Sequence, residues 1–518
     1  MRAIGMVVAF VSGCCALGQV EGGQGSVATG VVFDDLNKNG TRDAGEAGVP
    51  DVRVSNGQDI VRTDKDGRYR LGVEDDTALF VIKPRNWMTR VDKLNLPRFY
   101  HLHKPAGSPK LKYPGVAPTG PLPASVDFPL YQTSEADRFH VLVFGDTQVR
   151  TIEEVNYLAH DIVEQVAGCD AAFSFSLGDL VYDRLELYEP LNSVMAQIGV
   201  PIYNVLGNHD ENYAAANDQH ADETYERVYG PSTYSFDYGP VHFIVLDDVM
   251  WHGATDEKKG HYTSDLSERQ MTFLRNDLGE LPKEQLVVLT MHIPIMEIAQ
   301  REALYRLLAE HPHTVSFSAH WHTQKQFFLG KEDGWPGAKP HPHRVFVTAC
   351  GCWWRGAPDE LGIPHATMGC GAPNGWSMVT FDGNQYSIEF RAARRPANYQ
   401  MNVHAPEVVA AAQTGQTEVL VNVFAGSERS TVAMRVGSGE WIKLERVERE
   451  DPYFQAIKVA EESEHPPRGG KLPRPAKSPH IWRGMLPANL ARGAQLIEVR
   501  TTDMFGQTYF AGRIIRVE

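Results

Sequence analysis

Cysteine is scarce: six in 518 residues cannot staple a chain of this length, so the fold does not rest on a disulfide framework. Positive charge is also in short supply. Fifty Lys and Arg face 65 Asp and Glu, a formal net charge of −15, and such a field repels polyanions, which argues against nucleic acid or an anionic membrane as partner. Beyond the first twenty residues no apolar run can cross a bilayer, and no repeat of fixed period is visible. What is present is globular: 42% hydrophobic, 22% charged and 10% aromatic residues, proportions that exclude wholesale disorder and allow real cores. At about 150 residues per domain the chain divides into roughly three.

The N-terminus differs from the rest. Arg2 precedes an uncharged stretch, Ala3 to Val20, with its apolar centre at Ile4 to Val11, the pattern of a signal peptide. It ends at residue 18 if Ala16-Leu17-Gly18 is the cleavage site. Alternatively Val11-Ser12-Gly13-Cys14 is a lipobox with Cys14 lipidated. Either way the chain is expected to be exported (periplasmic, secreted or lipid-anchored), with no transmembrane helix in the mature chain and a possible association with the cell surface or envelope. In that setting Cys370 pairs with Cys350 or with Cys352, or the CxC pair and Cys370 hold a structural metal.

Alternating runs such as Val52-Arg53-Val54 and Phe80-Val81-Ile82, broken at Asn56-Gly57 and Asp66-Gly67, predict a β domain over residues 26–103. Prolines at 105, 109, 114, 118, 121, 123 and 129 mark an extended linker, 104–135. From 136 to 395 short apolar strands alternate with amphipathic helices, an α/β pattern. Thr151-x-x-Glu154 opens a helix with Ile152, Val155, Ala159, Ile162, Val163 and Val166 on one face, and Ser267-x-x-Gln270 opens another. Residues 396–518 again read as β-rich, interrupted by a polar, Pro-rich insertion at 463–479.

Within the α/β segment, five apolar strands run into metal-ligand residue types. Val141–Phe144 leads to Asp146 and Gln148, Ala172–Leu177 to Asp179, and Pro201–Leu206 to Asn208, His209 and Asp210. Leu286–Met291 leads to His292, and Val315–Ala319 to His320 and His322. Open α/β sheets bind ligands at the carboxyl ends of their strands, so the five motifs converge on one rim. Singly each is an ordinary turn or cap; in this order together they point to a metal site.

The series resembles the calcineurin-like metallophosphoesterases, whose motifs run D-x-H, GD, GNH[DE], H and GH-x-H. The resemblance covers about half of the chain. It implies a four-layer α/β/β/α sandwich, here flanked by all-β, sandwich-like domains. It further implies two divalent transition metals (Mn, Fe or Zn): one held by Asp146, Gln148, Asp179 and His322, the other by Asp179, Asn208, His292 and His320. A water between the ions attacks phosphorus, while His209, oriented by Asp210, protonates the leaving oxygen. Gln148 stands where the family usually has histidine and offers a neutral carbonyl oxygen. Ala319 stands where glycine is usual, which asks the backbone to turn without a free φ.

Expected function is hydrolysis of small phosphate mono- or diesters. The alternatives are a nucleotide-type pyrophosphate or phospholipid-headgroup hydrolase, and a non-catalytic adhesive or carbohydrate-binding surface protein. Trp353, Trp354, Arg355 and Asn374 lie on loops near the rim and would contact substrate; alternatively the tryptophans, with Trp376, cover the gap to the C-terminal domain. Trp251 and His252 are weaker rim candidates. Finally, Asp35, Asn37, Asn39, Thr41, Asp43 and Glu46 match a twelve-residue calcium loop. Because strands flank it, this part resembles the calcium-binding B-type repeats of bacterial adhesins, implying a structural Ca²⁺.

Overall fold

The computed structural model describes residues 26–255 and 258–518, so the leader and Cys14 lie outside the described residues. Among the described residues no helix is long and apolar enough to cross a membrane.

Two facing sheets form the centre. The first orders its strands Ile202–Asn204, Phe173–Ser176, Arg138–Phe144, Gly375–Asp382 and Gln385–Ala392; the first three are parallel, with Phe173 opposite Val141 and Ser174 opposite Ile202. The second orders Tyr234–Tyr238, Val241–Val245, Leu286–Thr290, Thr314–Ser318, His341–Val345 and Lys325–Leu329, again with a parallel middle. Strands buried on both faces are near-continuous apolar runs, and these are: Val141, Val143, Phe173 and Phe175 of one sheet pack against Phe243, Val288, Val315 and Phe317 of the other. On the outer faces Leu142 and Phe144 meet one helical layer, and Val287 and Leu289 meet Leu274, Leu304 and Leu308 of the helices Glu268–Gly279 and Arg301–Leu308. The result is the α/β/β/α sandwich.

The helix after Thr151 corrects the sequence pattern. Thr151 caps it and Arg150 pairs with Glu154, but a π turn at Ala159–Val163 interrupts the 3.6-residue period. Val155, Ile162, Val163 and Val166 are buried, whereas Ile152, one period too early, is 54% exposed.

The N-terminal domain is a β sandwich of two four-stranded sheets. Its last strand, Phe128–Gln132, runs parallel to Ser26–Asp34, so the predicted linker contains an element of the domain before it. The linker is no free spacer either. Lys104 is buried and pairs with Glu223 at 2.6 Å, and the Tyr113 hydroxyl donates to the Asp183 carbonyl at 2.9 Å. In the loop between Ser26–Asp34 and Arg53–Ser55, Asp35 accepts the amides of Asn39 and Gly40 and Glu46 those of Leu36 and Asp43; Asn37 and Asn39 donate to Asp43, and the Thr41 amide donates to Asn39.

Buried charges lock this sandwich to the centre. Arg53 pairs with Asp277 at 2.8 Å and Asp237 at 2.9 Å, and His242 bridges the same two carboxylates. Lys83, 1% exposed, donates to Glu135 at 2.6 Å and to the Asp237 carbonyl at 2.6 Å. Burial holds its pKa below the ordinary lysine value even with Glu135 beside it. Lys83→Met therefore strands a buried carboxylate and should cost about 3–5 kcal/mol in urea unfolding, with part recovered in the Lys83→Met/Glu135→Gln double variant. An unchanged midpoint would remove this pair from the account.

The C-terminal segment forms a second sandwich of a four- and a five-stranded sheet around Val421, Met434, Trp482, Ile497 and Val499. Cys169, Cys350, Cys352 and Cys370 are all free thiols, so neither expected pairing of Cys370 is present, and no cysteine joins a candidate metal cluster among the described residues. Burial pushes the Cys352 thiol up to about 12.

Candidate metal centre

The first sheet delivers Asp146, Gln148, Asp179 and Asn208 from the carboxyl ends of three neighbouring parallel strands, and the second delivers His292, His320 and His322 from two. Four of these seven take left-handed backbone without being glycine: Gln148 (φ 40°), Asp179 (48°), His320 (65°) and His322 (49°). Such conformations cost about 1–3 kcal/mol each and persist where surrounding structure over-determines them, here to turn side chains back into one cleft. Ala319 needs no unusual φ; the turn expected of it is made by His320. At Gly207 the reason is space, since a Cβ there would sit 2.0 Å from the Asp179 amide nitrogen.

The side chains converge. Atoms of Asp179, His292 and His320 lie within 4.8 Å of one another. His292 Nδ1 is 2.8 Å from the Leu177 carbonyl and donates to it, which leaves the Nε2 lone pair facing Asp179 Oδ1 at 3.3 Å and Asn208 Oδ1 at 3.2 Å. Likewise His322 Nδ1 donates to the Gly351 carbonyl at 2.5 Å, and Nε2 faces Asp146 Oδ2 at 3.1 Å. That Asp146 oxygen is buried without a hydrogen-bond partner. Lone pairs meeting lone pairs in a buried nitrogen and oxygen cleft are what a divalent cation fits. Burial opposes charge on His292, yet Asp179 and Asp146 raise its pKa to about 10; Asp179 is held far below the ordinary carboxylate value by His292, His209 and His320 against the same desolvation; burial and His292 lower His320 to about 4.

Gln148 departs from expectation. Its Nε2 donates to Asp179 Oδ2 at 2.8 Å and its Oε1 lies 3.6 Å from the Cys350 thiol, so the amide nitrogen, not the carbonyl oxygen, faces the Asp179 carboxylate. The donor satisfies an otherwise exposed lone pair of a buried anion.

His209 lies beside Asp179, and the carboxylate at its ring is not the Asp210 expected. Its Nδ1 contacts Asp183 at 2.6 Å, and Tyr182 stacks on the ring at 4.1 Å. Asp210 points away and braces the scaffold: it accepts the amides of Leu180 at 3.0 Å and Gly207 at 3.0 Å, plus the Tyr188 hydroxyl at 3.2 Å. Burial, with Asp179 nearby, pushes the Asp210 carboxyl up to about 7. Asp183 was not singled out from the sequence, although it lies on the same rim loop as Asp179. Burial opposes charge on His209, but Asp179 and the hydrogen-bonded Asp183 together raise its pKa above the ordinary value, which favours the protonated ring.

Of the loop residues expected at the rim, two are not there. Trp354 is 3% exposed with Nε1 donating to the Thr147 carbonyl, and Asn374 is 4% exposed and bonded to Asp161 and the Ala349 carbonyl. Trp376 and Trp251 are buried as well, Trp251 donating to the Ala215 carbonyl. Trp353 does border the centre, its ring 4.3 Å from that of His322, and the Arg355 guanidinium lies 5.4 Å from its centroid.

A sandwich of this topology with carboxylate, amide and imidazole groups gathered at its strand ends defines a metal-dependent phosphoester hydrolase. Family models agree over most of the chain. The calcineurin-like phosphoesterase model matches residues 139–324, and models for the N and C termini of calcineurin-like phosphoesterases match residues 36–113 and 344–509. The chain belongs to the calcineurin-like phosphoesterases, and its N-terminal sandwich is that family's own N-terminal domain; the likeness to adhesin repeats rests on the calcium-type loop and its flanking strands. No curated protein matches. Among solved structures, a purple acid phosphatase from yellow lupin (Lupinus luteus) seeds shares 12% identity over 67% of this chain and 69% of its own, with a TM-score of 0.35. CopC from Methylosinus trichosporium OB3b shares 14% over 23% of this chain and 89% of its own, TM-score 0.13. A β-glycosidase from Bacteroides vulgatus shares 9% over 95% and 79%, TM-score 0.19. Overlaps this slight leave the family match as the ground for the assignment.

Proposed function

We propose that the protein is an exported hydrolase of phosphate mono- or diesters working with two divalent transition metals. The observation that carries this is the unpartnered Asp146 Oδ2 facing His322 Nε2, next to the Asp179, His292 and His320 cluster. Asp146, Asp179 and His322 would hold one ion; Asp179, Asn208, His292 and His320 the other, with Asp179 shared. Gln148 joins the first site only by turning its amide over. When bound, such a pair supplies Lewis acidity to a phosphoryl group and lowers the pKa of coordinated water.

The chain supplies the rest. His209, whose pKa Asp179 and Asp183 raise against burial, would offer a proton on Nε2 to the leaving oxygen while Nδ1 stays committed to Asp183. Tyr182 limits the ring's rotation, and the Tyr213 hydroxyl holds the Asn208 carbonyl at 2.8 Å. The test is metal-stripped protein reloaded with Mn, Fe or Zn and offered an aryl phosphate monoester and a diester. Turnover with at least one metal is expected; none with any metal would end the proposal.

We also assign a structural Ca²⁺ to the loop of Asp35, Asn37, Asn39, Thr41, Asp43 and Glu46, whose oxygen donors suit a hard cation. The inward amides of Asn37 and Asn39 must turn over to present oxygen. Calcium should raise the melting temperature of the wild type and not of Asp35→Ala; a melt insensitive to calcium refutes the assignment.

A further inference from the structure

Beyond His322 a cavity of about 390 Å³ opens between the catalytic sandwich and the C-terminal domain. Its size is that of a small-molecule site. One wall is catalytic: His322 itself, Trp321 and Trp353. The other comes from the Pro-rich insertion that no part of the chemistry so far explains, through Pro473, Arg474 and Lys477.

Its charge is opposite to that of the chain. Against a net −15, the lining offers Lys325, Arg474 and Lys477 with one carboxylate, Glu448. Arginines nearby find acidic partners, Arg449 with Glu418 at 2.7 Å and Arg483 with Glu445 at 3.0 Å. Lys325, Arg474 and Lys477 form no ion pair among the described residues; Lys325 lies over the Phe327 ring at 4.5 Å. Three cations against one carboxylate around a concavity raise the local concentration of anions, and a flat indole face beside them suits a ring. The cavity shares His322 with the metal centre, so a molecule with its scissile phosphate at the metals extends directly into it.

We propose that this cavity is the subsite for a second anionic group of the substrate, carried on a ring that stacks against Trp353. The preferred substrate class is then a phosphate ester or anhydride bearing a second phosphate, and the C-terminal domain is a specificity wall. The inference rests on the phosphoesterase reading above.

Two probes differing only in the second charge test it: adenosine 5′-monophosphate and adenosine 3′,5′-bisphosphate, followed by kcat/KM and by calorimetric binding. The wild type should favour the bisphosphate by about tenfold or more, the worth of one charge-assisted contact. Arg474→Ala and Lys477→Ala should each reduce that ratio severalfold, acting on KM, and the double variant should bring it close to one. Lys283→Ala, a surface change elsewhere, should leave the ratio alone. A wild-type ratio near one, or a preference that survives the double variant, overturns the subsite. If neither these probes nor the aryl phosphate monoester and diester are hydrolysed with any metal, the phosphoesterase reading fails; calorimetry still decides the subsite, since tighter binding of the bisphosphate must disappear in the double variant.

Discussion

Asp179→Asn should abolish turnover, by about a thousandfold or more, in a protein that still folds. Asparagine keeps the size of the side chain and one oxygen, so the amide of His209, now donated to Oδ1 at 2.8 Å, retains its acceptor. The Gln148 backbone N–H, bonded to the backbone carbonyl of residue 179 at 2.9 Å, is untouched, and the Gln148 side-chain amide, which loses its acceptor at Oδ2, must turn its oxygen to the new amide. What disappears is the charge: a neutral amide cannot bridge two cations or offset the imidazoles around it. Bound metal should fall with activity, and the effect should exceed that of any peripheral change. Full metal content with full activity would mean that Asp179 is not the shared ligand.

His209→Ala should separate chemistry from metal binding. Loss of a positioned acid costs about 10²–10⁴-fold, most for esters whose leaving alkoxide needs a proton and least for a nitrophenolate, which leaves unaided. Metal content should stay at the wild-type value. Because the folded pKa of His209 is raised, the wild-type alkyl-ester rate should decline as pH climbs through that raised value, and the variant should lack this decline. Asp183→Asn, which removes the carboxylate 2.6 Å from Nδ1, should move the decline to lower pH, whereas a variant at Asp210 should act first on stability. A His209→Ala protein that loses metal, or loses equal activity on alkyl and aryl esters, contradicts the acid role.

The sandwich and the converging rim were legible because both depend on local pattern: an apolar run buried on two faces, then a turn that leaves a polar side chain at the strand's end. Direction at that turn was not legible. Asn208, His209 and Asp210 form one 3-10 turn, in which successive side chains diverge, so adjacency suggested Asp210 as the partner of His209 while geometry supplied Asp183 from a left-handed residue (φ 58°) of another loop. Long-range placement was hidden for the same reason. Nothing local indicates that Phe128–Gln132 returns to pair with Ser26–Asp34, or that Trp354 and Asn374, in a loop rich in glycine and polar residues, turn inward. The π turn at Ala159–Val163 likewise has no sequence marker, and it breaks the regular spacing on which the expected buried face of this helix rested.

The central claim, a phosphoesterase built on two metal ions held by this cleft, is tested most directly by counting metal against turnover. Protein stripped with a chelator, reloaded and desalted should carry two transition-metal equivalents per chain by mass spectrometry. Activity on an aryl phosphate should be absent before reloading and should follow occupancy as the ions are restored. One ion or none at full activity, or turnover that survives chelation, would contradict it.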